Sequence, residues 1–146
     1  ICRCGRRGCL EVYAGRRSMV SAAGIASSDA AATRESINEL IDHWRQRDSK
    51  AVAVVEKALE AMASVIASII NVCDIDTVML GGLWARFEPD LIRRIGRMVR
   101  PQALSYPEVQ ARVMMADVVA RPALIGAAEV GLRNFVDNPL EFLERE

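Results

Sequence analysis

The chain has 146 residues, of which 51% are hydrophobic and 26% charged, and its 19 basic side chains balance 19 acidic ones. A net charge of zero offers no electrostatic footprint for DNA or RNA, so nucleic-acid binding is not encoded here. The most apolar stretch, 61–72, falls well short of the roughly 20 residues that a membrane span requires, and it belongs inside a globular protein.

In chain order the first element is a loop. Cys2, Cys4 and Cys9 stand at C-x-C-x4-C spacing and can converge on one ion only if the backbone folds back sharply, a freedom that Gly5 and Gly8 supply. Residues 1–11 are therefore expected to form a zinc knuckle. A structural zinc site is closed and four-coordinate, so three cysteines imply one further ligand. His43, the single histidine, lies in a helix-patterned segment and is expected to be an ordinary helix residue; Cys73 is expected to be a small buried hydrophobe. The fourth ligand is instead expected before Ile1, since the chain begins on the motif without a methionine, as a fragment would. Four cysteines could alternatively form a disulfide framework, but the helix-patterned, alanine-rich composition and the lack of a visible signal peptide speak against it. Arg3, Arg6 and Arg7 would offset the excess negative charge of three thiolates on one dication.

Leu10 to Ala23 has the spacing of one helix, with Gly24 as its stop. Small and polar residues follow through Ser27, Ser28 and Asp29. Thr33 is a plausible N-cap for a helix whose apolar stripe is Ile37, Leu40, Ile41 and Trp44. Ser49 is expected to cap a third helix reaching Cys73, with Val55, Leu59, Met62, Ile66, Ile69 and Val72 or Cys73 inward. Alanines on its flanks would let neighbours approach closely. A coiled-coil seam is the alternative for that period, and core packing is preferred.

Thr77-Val78-Met79-Leu80 is a short apolar run, the pattern of a strand buried on both faces of a parallel sheet. Gly81-Gly82 stands at its carboxyl end, where ligands gather in open α/β sheets. A helix from Pro89 to Val99 carries Leu91, Ile92, Ile95 and Val99 on one side and a basic stripe on the other, expected to be solvated. Pro101 ends it. Arg112 to Ala116 is a second strand nearer the sheet edge, and Pro122 opens a last helix to about Phe135 with Ile125, Ala128, Leu132 and Phe135 inward. The tail from Asn138 to Leu143 is expected to add a short helical turn.

The run Cys2-x-Cys4-Gly5-x-x-Gly8-Cys9-x-Glu11 resembles the zinc-binding signature of the ROK family, a group of bacterial sugar kinases and sugar-responsive repressors. Asp76-Thr77-Val78-Met79-Leu80-Gly81-Gly82 and Pro122-Ala123-Leu124-Ile125-Gly126-Ala127-Ala128 are similar to later segments of the same family, in the same order. The resemblance implies an α/β fold: the C-terminal lobe portion of an actin/hexokinase/Hsp70-like (ribonuclease H-like) architecture. One domain, residues 1–146, is expected, as part of a larger two-lobed protein in the cytoplasm.

Glu11 admits two readings. Its two carboxylate oxygens could take paired hydrogen bonds from vicinal sugar hydroxyls, or it could be the first-turn acid of the following helix. The resemblance implies the former, with a structural zinc at Cys2, Cys4 and Cys9 shaping the sugar pocket. It also sets Gly81 and Gly82 against a nucleotide if the protein is a kinase, although Leu83 and Trp84 stand where many such kinases carry a third glycine. No catalytic residue is expected in this chain, because the family's catalytic aspartate belongs to an earlier segment. Two functions follow. The first is the effector-binding and oligomerising part of a sugar-responsive transcriptional regulator, touching DNA only through a separate N-terminal module; the short Gly-Gly run and the Asp137-Asn138-Pro139 tail lean that way. The second is the C-terminal lobe of an ATP- and magnesium-dependent sugar kinase. Either would be a homo-oligomer with no membrane partner.

Overall fold

The computed structural model describes residues 1–27, 32–108, 110–116 and 121–139. Among the described residues six α-helices and two strands follow one another as α1 (Leu10–Ala14), α2 (Arg16–Ala22), α3 (Arg34–Arg45), α4 (Ser49–Cys73), β1 (Thr77–Leu80), α5 (Pro89–Val99), β2 (Arg112–Met115) and α6 (Pro122–Asp137). The helix expected from Leu10 to Ala23 is thus two helices. Gly15 breaks it with an extended backbone, φ −72° and ψ 143°, and both the Gly15 N–H and the Ser18 hydroxyl donate to the Glu11 carbonyl at the corner. Gly24, at φ +78°, lies just beyond the end of α2, as expected of a left-handed stop.

The caps explain where the longer helices begin. Thr33 Oγ1 accepts the Ser36 N–H at 3.2 Å, as its position suggested. For α4 the cap is Asp48, whose Oδ1 accepts the Ala51 N–H at 2.9 Å, and Ser49 is already the first helical residue. Asp74, in the left-handed region at φ 52°, ends α4. The buried stripe of α4 runs through Val55, Leu59, Met62, Ile66 and Ile70, while Ile69 and Val72 are 42% and 84% exposed. Cys73, beyond the covered stretch, is exposed and not the buried hydrophobe expected.

Helix α4 is the spine of the core, packed against α1, α3 and α5. The strands pair in parallel, with Val78 opposite Val113 and Leu80 opposite Met115. Those four residues face α5 and the core, whereas Met79 and Met114 lie 58% and 48% exposed on the other face. β1 is therefore covered on one side by the described residues, not on both. The basic side of α5 is solvated as expected, and two of its arginines are paired besides: Arg93 with Asp90, and Arg94 in a two-pronged contact with Glu56. Trp84 stacks on Phe87, which meets Trp44 edge-on, so the bulky residues after Gly81-Gly82 are core.

Helix α6 forms, but Ile125, Leu132 and Phe135 are 46%, 63% and 49% exposed where an inward stripe was expected. No other described element packs extensively against it. The tail expectation falls largely on residues 140–143, outside those described. Among the described residues no helix is long and apolar enough to cross a membrane.

Candidate metal centre and sugar cleft

The first nine residues form a tight loop. The Cys2 N–H donates to the Arg6 carbonyl at 2.8 Å and the Gly5 N–H to the Cys2 carbonyl at 2.9 Å. Gly5 and Gly8 both sit at positive φ, +82° and +78°, with nothing near a would-be Cβ, so it is the backbone conformation that calls for glycine. The fold brings the sulfurs of Cys2, Cys4 and Cys9 to within 4.8 Å of one another, and Cys4 Sγ lies 3.5 Å from Cys9 Sγ. Zinc–sulfur bonds of about 2.3 Å at tetrahedral angles put sulfurs about 3.8 Å apart, so the spacing fits a zinc held by three thiolates. All four cysteines are free. His43 is in the last turn of α3 and is not part of the cluster, nor is Cys73.

Without metal the three thiols share their protons unequally. The Arg6 backbone N–H, followed by hydrogen bonds from Cys9 and Cys2, holds the Cys4 thiol below its ordinary pKa. Cys9, donating to Cys4 and Cys2 and facing their charge, is pushed up to about 11. A bound dication would replace those shared protons.

Glu11 is the second residue of α1, two residues past Cys9. Its side chain folds over Gly15: a Cβ there would fall 2.3 Å from both the Glu11 carbonyl oxygen and Oε1. Glu11, Arg17, Ser18 and Ser21 line a cleft of about 620 Å³ whose wall continues into Cys2 and Arg3. A cleft of that size has room for a monosaccharide. Gly82, at φ +61°, closes the carboxyl end of β1, and a Cβ on it would meet Arg16 Nη2 at 3.8 Å. Thus α2 sends Arg16 to the Gly81-Gly82 turn and Arg17 to the Glu11 cleft. Neither arginine stood out in the sequence, because a continuous helix through residues 10–23 hides the corner at Gly15 that orients them.

The family model for the ROK family matches residues 1–133. The chain belongs to the ROK family. Within it, the chain is similar to an N-acetylmannosamine kinase of Haemophilus influenzae, 35% identical over 82 residues that make up 56% of this chain and 26% of that relative. An N-acetyl-D-glucosamine kinase of Salmonella paratyphi A is 31% identical over 107 residues, 70% of this chain and 33% of the relative. A ROK hexokinase from Thermus thermophilus superposes with a TM-score of 0.68 at 23% identity, over 91% of this chain and 44% of that one. That likeness establishes the expected actin/hexokinase-like fold. The matched stretches span about a quarter to less than half of these proteins' lengths.

Proposed function

We propose that this chain supplies the sugar-orienting and nucleotide-facing lobe of a ROK-type kinase that phosphorylates a hexose, of the acylamino kind named in its relatives. The observation that carries the reading is the Glu11 carboxylate, which lines a cleft with room for a monosaccharide and is engaged by no other described side chain. Two fixed acceptor oxygens suit two neighbouring sugar hydroxyls and would hold the ring for attack by a third. Cys2, Cys4 and Cys9 would fill three of the four positions of a structural zinc, which would supply rigidity to the loop. Phosphoryl transfer depends on positioning and charge neutralisation; the Gly81-Gly82 turn lets phosphate approach the backbone while Arg16 offers a guanidinium beside it. No residue of the chain is assigned as the general base.

The sequence leaned towards a regulator, but the relatives compared above are sugar kinases, and they favour the kinase reading. Calorimetric titration with N-acetylmannosamine and with Mg–ATP separates the two. Binding of both ligands, with sugar binding lost in Glu11→Gln, is the expected result. Sugar binding without nucleotide binding would overturn the kinase reading in favour of a sugar-responsive regulator, and binding of neither would overturn the sugar site.

A further inference from the structure

The three sulfurs of the knuckle are not equally placed. Cys4 is exposed, whereas Cys2 and Cys9 are partly covered, and Cys4 Sγ lies 3.5 Å from Cys9 Sγ. Cys2 is tied down on both sides, its N–H donating to the Arg6 carbonyl and its carbonyl accepting the Gly5 N–H. Between Cys4 and Cys9 the chain is exposed throughout, and the space beside Gly5 and Gly8 is open. Their sulfurs therefore need to close by only about 1.5 Å to reach the ~2.05 Å of a disulfide, and a small oxidant reaches Cys4 directly. A sulfur in a disulfide has lost the charge with which it ligates zinc, so this one bond removes two of three ligands at once. Cys9 is also where α1 starts: its carbonyl accepts the Val12 N–H at 3.0 Å, and Glu11 lies within that turn. A shift at the Cys9 sulfur is thus passed to the Glu11 carboxylate through a short, hydrogen-bonded stretch of backbone.

We propose that Cys4 and Cys9 are a reversible redox pair whose disulfide, formed by hydrogen peroxide, expels the zinc and loosens the loop that carries Glu11. The Cys4 sulfur attacks one peroxide oxygen; the O–O bond breaks, the departing hydroxide takes a proton to become water, and Cys4 is left as a sulfenic acid. The Cys9 sulfur then attacks the Cys4 sulfur; the S–S bond forms, the S–O bond breaks, and the hydroxide leaves with a second proton as water. Two thiols lose two electrons and one peroxide gains them. Where the sulfurs start as thiolates on zinc, solvent supplies both protons and the ion departs with its charge unchanged. Cys2 alone is too few ligands to retain it. The effect on the cleft rests on the zinc and sugar readings proposed above, whereas the disulfide itself rests on neither.

The test exposes the Cys73→Ser protein, supplied with zinc, to increasing hydrogen peroxide. Removing Cys73, which is exposed and outside the knuckle, leaves the three loop sulfurs as the only partners for one another. Released zinc is read with a chromogenic chelator, sugar affinity by calorimetry with N-acetylmannosamine, and pairing by mass spectrometry of a non-reducing tryptic digest. The loop arginines make that digest decisive, because cleavage after Arg3, Arg6, Arg7 and Arg16 puts Cys2, Cys4 and Cys9 on separate peptides. The expected result is a Cys4–Arg6 peptide linked to a Gly8–Arg16 peptide, release of the bound zinc and an affinity loss of about ten-fold, all reversed by dithiothreitol with added zinc. In Cys9→Ser the link should be absent. A link through Cys2, or sulfinic acid at Cys4 in place of a link, overturns the pairing. Reduced protein that holds no zinc, or linked protein that keeps it, overturns the coupling to the metal; linked protein with unchanged affinity overturns the coupling to the cleft. If the reduced protein binds no sugar, the sugar reading falls, while the linked peptides and the released zinc still decide the redox pair.

Discussion

Gly15 shows how one missing side chain can position a carboxylate. Any Cβ there would fall 2.3 Å from a backbone and a side-chain oxygen of Glu11 at once, so the corner between α1 and α2 would have to open. Gly15→Ala is expected to destabilise the fold by about 1–3 kcal/mol and to weaken sugar binding along with it, read by denaturant titration and calorimetry. Unchanged binding would separate Glu11 from the cleft. At Cys4, serine replacement should abolish tight zinc binding; intact metal content by elemental analysis would remove the knuckle. Metal uptake must also displace the proton that Cys9 retains up to about 11, so zinc binding should release protons and weaken as pH falls, measurable in weakly buffered solution. The cysteine spacing was legible in the sequence because the ligand set is local. The roles of Gly15 and Arg16 were not, since they depend on a helix break that periodicity alone does not reveal.

At the scale of elements, the capping residues set helix boundaries and part of the pH response. Asp48→Ala should cost about 1 kcal/mol, because the Ala51 N–H loses its acceptor. Glu35, in the first turn of α3, is held below the ordinary carboxylate range by its own backbone N–H and then by the Thr33 hydroxyl. A carboxylate depressed in the folded state stabilises above its unfolded pKa, and that contribution is lost as pH falls through the folded value. The start of α3 should therefore fray in acid, and Glu35→Gln should flatten that response in amide exchange. Thr33 was legible as a cap, whereas Asp48 and Ser49 are adjacent cap formers that sequence cannot rank. Only the backbone geometry, with Asp48 extended and Ser49 helical, separates them.

For the molecule as a whole, α4 carries the core and α6 stands apart from it. Leu59→Ala, at a position with no solvent exposure, should cost about 2–5 kcal/mol in equilibrium unfolding. Leu132→Lys, at 63% exposure, should leave stability within about 0.5 kcal/mol; a large loss would mean that α6 is packed in solution.

The sequence by itself determined the ROK family membership, the α/β order of elements, the positions of both strands and the three-cysteine loop. Each is written in local spacing: a helical or strand period, a cap, or ligands a few residues apart. The tertiary structure decided which stripe position of α4 faces inward and that β1 is covered on one face. It also decided that Arg16 and Arg17 serve different neighbours. Those outcomes depend on contacts between residues far apart in the chain, where a change of one residue in helical phase, or a corner at one glycine, redirects a side chain without altering the pattern that the sequence displays.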